Sequence, residues 1–171
     1  MRKTLVSAVV VVSLALAPAA WAVAGGSFVA HGRSFQEVPA ISSSAMIEFT
    51  GTIDETNTTL TYTLTYSGFR GTVTQSHIHF GQMGVNGGIV IFLCSNLGNG
   101  PVGTQACPES GTITGTVTSA NVGAGAAAQG IPAGAFNRIT QAIRQGVAYV
   151  NVHSVLFPGG EARGQLAFTS D

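Results

Sequence analysis

Residues 60–66 read LTYTLTY, and this stretch decides the fold class. Leucine and tyrosine alternate with threonine at every position, which is the period of a β-strand with one buried and one solvated face. Residues 45–53 alternate in the same way, and residues 54–58 between the two segments have the polar composition of a turn. The two segments therefore predict an antiparallel hairpin.

The rest of the mature chain repeats the strand signal, with one exception. Residues 136–143 place apolar side chains at helical spacing, and Gly146 follows as a C-terminal cap. About eight strands and one short helix predict an all-β fold, an antiparallel Greek-key sandwich or barrel. Besides the hairpin, strands are predicted over residues 28–35, 72–80, 89–93, 112–118, 147–154 and 161–169.

The N-terminal segment is organised as a signal peptide. Arg2 and Lys3 precede a short apolar run, and residues 20–22 (AWA) and 22–24 (AVA) each match a signal peptidase site, so the mature chain would begin near Val23 or Gly25. The run is too short for a membrane anchor. We therefore expect residues 1–24 to be removed on export and residues 25–171 to form one domain without a membrane span. Such a domain would be secreted or would reside in the periplasm or cell envelope.

Charged residues are few, and their balance excludes some partners. Loss of Arg2 and Lys3 leaves five basic residues against seven acidic ones, a net charge of −2. This chain therefore lacks the basic surface that nucleic acid or an anionic membrane requires. The expected partner is an extracellular or envelope protein, which the sequence does not identify.

Cys94 and Cys107 are the only cysteines in the chain. In an oxidising compartment such a pair predicts a disulfide. Closing a loop of this length would stabilise the fold by roughly 3 kcal/mol in the chain-entropy model. The alternative is a thiolate metal pair, which needs reduced sulfur and a closer spacing.

Several polar residues fall on one face of their predicted strands. Ile78 alternates with His77 and His79, so both imidazoles point away from the core face. The same parity places further polar residues on the non-core face of the last two strands: Asn151, His153, Glu161, Arg163 and Gln165. If these strands are neighbours, their polar residues form one cluster. The alternative is that they are solvated on separate strands.

Five short motifs resemble the CHRD domain, which is named after chordin and also occurs singly in exported bacterial proteins. The resemblance covers about residues 28–168 and implies an immunoglobulin-like or Cu,Zn superoxide-dismutase-like β-barrel. Chordin's antagonism of growth factors is not carried over, because chordin has cysteine-rich modules that this chain lacks. For single-domain bacterial members the resemblance implies no specific activity. The motifs are residues 37–39 (EVP), 77–81 (HIHFG), 86–88 (NGG), 149–153 (YVNVH) and 158–166 (PGGEARGQL).

Two interpretations of the polar cluster follow. In the first, Glu37 or Glu161 pairs with Arg163 in a hydrogen-bonded network, no cofactor is bound, and the chain is an exported non-catalytic binding or structural module. In the second, His77, His79 and His153 bind one copper or zinc ion.

Under the metal interpretation, Glu161 would orient a ligand or be one. His31, near the N-terminus, is a candidate fourth ligand. Four histidines are too few for a dinuclear dismutase site, and no Gly-x-Ser-x-Gly elbow is present.

Overall fold

The computed structural model describes residues 25–169. The predicted signal peptide, residues 1–24, lies outside the described residues. Among residues 25–169, none of the helices has the length and apolar composition needed to cross a bilayer.

The described chain consists of antiparallel β-strands and one short α-helix, which confirms the predicted all-β class. Short 3₁₀ turns lie at Ser34–Gln36, Ser119–Asn121 and Ala127–Gln129. The strands and the helix, in chain order, are β1 (Gly26–Arg33), β2 (Met46–Ile53), β3 (Leu60–Ser67), β4 (Val73–Phe80), β5 (Gly88–Ser95), β6 (Gly111–Val117), α1 (Phe136–Arg144), β7 (Ala148–Ser154), β8 (Ala162–Gln165) and β9 (Ala167–Thr169).

The strands form a single nine-stranded sheet that closes nearly into a barrel. Its order is β5-β4-β7-β8-β1-β2-β3-β6, and β9 pairs with β1. The predicted last strand is interrupted at Leu166, whose N–H donates to the carbonyl of Ala148. β8 and β9 nevertheless both pair with β1 without a register shift between them. Arg33 pairs with Arg163 in β8, and Ser27 pairs with Thr169 in β9.

The hairpin β2–β3 follows the alternation of the sequence without a register shift. Its inward side chains, including Phe49 and Leu64, are fully buried. Phe49 stacks between Phe28 and Tyr62, with ring centroids 5.9 and 5.7 Å apart. Burial of each such side chain contributes about 1.5–3 kcal/mol. The regular alternation of buried residues in β2 and β3 therefore stabilises the part of the barrel that these strands form.

The predicted disulfide between Cys94 and Cys107 is present, with Cα atoms 5.1 Å apart. It ties the segment between β5 and β6, the two edge strands of the sheet, back to β5. Nε2 of Gln105, in this segment, lies 3.1 Å from the carbonyl oxygen of Leu93 in β5 and 3.0 Å from that of Thr114 in β6. One side chain thus bridges the two edges where the barrel remains open.

The helix α1 begins at the predicted residue and packs on the sheet through Phe136, Ile139 and Ile143, all buried. Gly146 follows with φ +66°, the left-handed conformation of a C-terminal glycine. Its carbonyl accepts a hydrogen bond from Gln165 in β8 at 2.8 Å. The helix end is thereby attached to the strand that also carries Arg163.

Candidate functional site

The predicted histidines lie on two adjacent strands, β4 and β7. These strands are antiparallel, and their register places His77 opposite Asn151, His79 opposite Tyr149 and Gln75 opposite His153. Ile78, between His77 and His79, is fully buried in the core. The imidazoles therefore occupy the face of the sheet opposite Ile78, as the alternation indicates, and they are brought together by cross-strand pairing.

This outer face is covered rather than solvated. All seven residues of β7 are buried, and the exposed fractions of His77, His79 and His153 are 0%, 7% and 6%. The alternative of histidines solvated on separate strands is therefore wrong. Three segments between strands lie over the outer face of β4, β7 and β8: residues 34–41, 81–87 and 155–161. We call these three segments the loop cover.

Two histidines hold the loop cover through their Nδ1 atoms. His79 Nδ1 lies 3.0 Å from the carbonyl oxygen of Gly87, and His153 Nδ1 lies 2.9 Å from that of Pro158. A carbonyl oxygen only accepts, so each Nδ1 carries a proton, and Nε2 of each neutral ring keeps its lone pair. His77 Nδ1 lies 3.1 Å from His153 Nε2 and must donate to it. Among the described residues, the Nε2 lone pairs of His77 and His79 are therefore free, whereas that of His153 accepts this hydrogen bond.

Burial keeps the three rings neutral. Burial, together with the neighbouring rings of His153 and His79, lowers the pKa of His77 to about 2. Burial also lowers the pKa of His79 to about 4, although the hydrogen bond to the Gly87 carbonyl opposes the shift. The pKa of His153 is lowered mainly by burial as well. The cluster is therefore uncharged at neutral pH.

A buried ion pair between Glu37 and Arg163 lies beside the histidines. Arg163 Nη2 and Nε are each 2.7 Å from Glu37 Oε2. Asn151 Nδ2 donates to Glu37 Oε1 at 3.0 Å. Arg163 also donates to the carbonyl of Val85 at 3.2 Å and to Asn86 Oδ1 at 2.6 Å. This pair joins strands β7 and β8 to two segments of the loop cover.

The third segment of the loop cover reaches the same pair through a glycine. Gly160 has φ +126°, and a Cβ atom at this position would collide with the side chains of Asn151 and Glu37. Only a residue without a side chain lets the backbone approach Glu37 this closely. All three covering segments therefore meet around the Glu37 carboxylate.

Glu161 and His31 do not belong to this cluster. The carboxylate of Glu161 accepts hydrogen bonds from the Arg70 N–H at 2.8 Å and the Ser154 hydroxyl at 2.5 Å. His31 is exposed on β1, where its Nδ1 contacts Glu48. Arg163 is thus paired with Glu37 and not with Glu161. The predictions that Glu161 orients or binds a metal and that His31 is a fourth ligand do not fit these positions.

Tyr149, Phe92 and Asn86 complete the site and were not among the predicted site residues, although Tyr149 and Asn86 lie in two of the family motifs. Tyr149 stacks on His79 with ring centroids 4.7 Å apart, and the Arg163 guanidinium lies 4.4 Å from the Tyr149 ring centroid. Phe92 in β5 packs edge-on against His77 at 4.4 Å. Tyr149 lies two and four residues before Asn151 and His153, so strand alternation alone predicts that its side chain is on the same face of β7. The contacts of Asn86 and Phe92 depend on tertiary structure.

Comparison with known families identifies the chain. The model of the CHRD domain matches residues 28–166. The chain belongs to the CHRD domain family. No curated protein and no solved structure matches it.

The histidines of this CHRD domain come close to the geometry of a metal site. One nitrogen from each of His77, His79 and His153 lies within 4.8 Å of the other two. Metal–nitrogen bonds of about 2.0–2.1 Å at tetrahedral angles require nitrogens about 3.4 Å apart. The nitrogens would therefore have to contract by at most about an ångström and a half.

Lowering the pH is expected to destabilise this CHRD domain from about pH 6.5 downward. Unfolded histidine takes up a proton near its ordinary pKa of 6.5, whereas folded His79 does so only near 4 and His77 near 2. The unfolded state then binds more protons, so the unfolding free energy falls by about 1.4 kcal/mol per pH unit for each histidine.

Urea denaturation between pH 7.5 and 4.5 measures this slope. His31→Ala, which removes an exposed ring, should leave it unchanged. A flat profile from pH 7 to 5 would contradict the buried neutral cluster.

Replacing Arg163 by methionine is expected to cost about 3–5 kcal/mol of unfolding free energy, because the Glu37 charge stays buried without its partner. Arg138→Met, at an exposed arginine of α1, is the matched control and should change stability by less than about 0.5 kcal/mol. The double variant Glu37→Gln with Arg163→Met should be more stable than Arg163→Met alone. Equal effects of the two arginine substitutions in chemical denaturation would refute the structural role of the pair.

Proposed function

We propose that this CHRD domain is an exported, non-catalytic module that binds an extracellular or envelope protein through its loop cover. The observation that supports this most directly is the convergence of all three covering segments on one buried pair, Glu37 and Arg163. Loops held in one arrangement before binding lose little conformational entropy on complex formation. A β-barrel that fixes surface loops in this way is a suitable scaffold for recognition.

The bonds within the loop cover support a single preformed surface. Asn86 Nδ2 donates to the carbonyl of Val38 at 3.2 Å, which links the first two segments directly. The first and third segments border a cleft of about 220 Å³, lined by residues 37–39, Ile41 and residues 156–160. Each segment is thus positioned by at least one of the other two.

The loop cover exposes large apolar side chains. Phe35, Met83 and Leu156 lie one on each segment, with 68%, 76% and 57% of their surface exposed. Few charged residues accompany them, since the whole chain has only 8% charged residues. Apolar side chains on a rigid, weakly charged surface are suited to a protein partner that contributes its own apolar residues.

Site-specific photo-crosslinking tests this function. Benzoylphenylalanine at Met83 is expected to give a discrete covalent adduct on cells that produce the full-length chain. The same group at Thr52, exposed on β2, should give none. Adding Arg163→Met to the Met83 probe should weaken the adduct, because the loop cover loses its buried anchor.

Absence of an adduct at Met83, or equal adducts at Met83 and Thr52, would argue against a binding surface on the loop cover. Mass spectrometry of the same secreted material reads the mature N-terminus. A chain that begins near Val23 or Gly25 is expected from the signal peptide.

A second candidate function is the binding of one copper or zinc ion by His77, His79 and His153. It is favoured by one observation: Nε2 of His77 and Nε2 of His79 are buried and have no hydrogen-bond partner among residues 25–169. A buried polar atom without a partner costs about 1–3 kcal/mol, and coordination of an ion would remove this cost. Neutral imidazole nitrogens suit both metals.

Metal analysis of the purified, untagged protein tests this candidate. After loading with copper or zinc and removal of excess, about one ion per chain is expected to remain, as for other sites of three imidazoles. His77→Ala should abolish retention, whereas His31→Ala should not affect it. Metal content that is negligible in the wild type, or identical in the two variants, would rule this function out.

A further inference from the structure

The donor set of the histidine cluster is electrically neutral. His79 and His153 use their Nδ1–H groups to hold backbone carbonyls, so neither ring must lose a proton before its Nε2 binds an ion. Nε2 of His79 has no hydrogen-bond partner in the described part of the chain, and Nε2 of His153 would exchange the hydrogen bond from His77 Nδ1 for the ion. His77 contributes a third neutral nitrogen. Among residues 25–169, the cluster of potential ligands contains these three histidines and no acidic residue. An ion bound here would therefore keep its full charge.

No carboxylate among residues 25–169 joins the three histidines as a potential ligand. Glu37 is already paired with Arg163 and Asn151, and Glu161 is hydrogen-bonded to the Arg70 N–H and the Ser154 hydroxyl. The Arg163 guanidinium is separated from the His79 ring by the stacked ring of Tyr149 alone. The charged group stacked on that side is therefore a cation, and its carboxylate partner, Glu37, is already bound to it.

Burial makes the charge of the ion decisive. The desolvation free energy of an ion in a low-dielectric interior grows with the square of its charge, so a divalent ion of the same size costs about four times as much as a monovalent one. Zinc sites usually offset this with thiolates, carboxylates or a bound hydroxide. Three neutral imidazoles beside an arginine therefore favour a monovalent ion over a divalent one.

The enclosure of the cluster favours a low coordination number. Phe92 packs edge-on against His77 and Tyr149 lies flat on His79, so two of the three rings have an aromatic neighbour. Structural Zn²⁺ is almost always four-coordinate. A monovalent d¹⁰ ion has no ligand-field preference and accepts three nitrogen ligands, and imidazole is a suitable ligand for copper.

We propose that His77, His79 and His153 bind monovalent copper, Cu(I), in a three-coordinate site of neutral imidazoles. The inference rests on the second proposed function and narrows it to one ion in one oxidation state. Binding exchanges solvent or chelator ligands for the three nitrogens and involves no change in oxidation state. It is independent of the proposed partner surface, which the crosslinking experiment tests separately.

The test uses the mature protein under argon with ascorbate, which keeps copper monovalent and leaves the Cys94–Cys107 disulfide intact. Bicinchoninate, a coloured Cu(I) chelator, measures competition for the ion. We expect one Cu(I) per chain to be retained against an about tenfold excess of Zn(II), and Cu(I) alone to raise the melting temperature. His79→Gln and His153→Gln should lose retention, and His31→Gln, the matched control, should keep it.

NMR of the wild-type protein labelled with ¹⁵N-histidine makes the test independent of how well the variants fold. Addition of one equivalent of diamagnetic Cu(I) should shift the ring nitrogens of the three clustered histidines and leave those of His31 unchanged. If Zn(II) is retained and Cu(I) is not, the inference is wrong while the second proposed function stands. If neither ion is retained, both are wrong.

Discussion

The buried pair of Glu37 and Arg163 is the interaction on which the outer half of this structure depends. Transferring both charges from water to the interior costs several kcal/mol per ion, and only complete hydrogen bonding offsets that cost. The partners come from different parts of the chain: Asn151 from β7, Val85 and Asn86 from the loop after β4. The pair therefore stabilises the fold only when the loop cover is closed, and this makes loop position a condition of folding.

Closure of the loops in turn determines the chemistry of the histidines. β4 and β7 would otherwise present His77, His79 and His153 to solvent, where imidazoles titrate near neutral pH. Under the loop cover their pKa values fall because the charged form is desolvated. The same rings then hold the loops through Gly87 and Pro158. Ion pair and imidazoles are thus mutually dependent, since each is buried by loops that the other helps to hold.

The sequence predicts the part of this arrangement that follows from local periodicity. Alternation in residues 60–66 identifies β3 and its partner, and the parity of Ile78 and Val152 places the histidines opposite the core. The alternation within a strand does not predict whether the non-core face is covered, because the loops that cover it have no periodic pattern of apolar residues. It also does not choose between Glu37 and Glu161 as the partner of Arg163. That choice depends on a turn at Gly160, which admits Glu37 to the cluster while Glu161 bonds to Ser154.

The two proposed functions would reinforce each other physically if both hold. A cation coordinated at Nε2 of His79 and His153 would withdraw electron density from both rings and make each Nδ1–H a stronger donor. These donors are the hydrogen bonds that hold Gly87 and Pro158, which belong to two segments of the loop cover. An ion bound beneath the loops would therefore tighten the surface that presents Met83 and Leu156. Metal binding in this domain would act on recognition by fixing the loops, without any catalytic step.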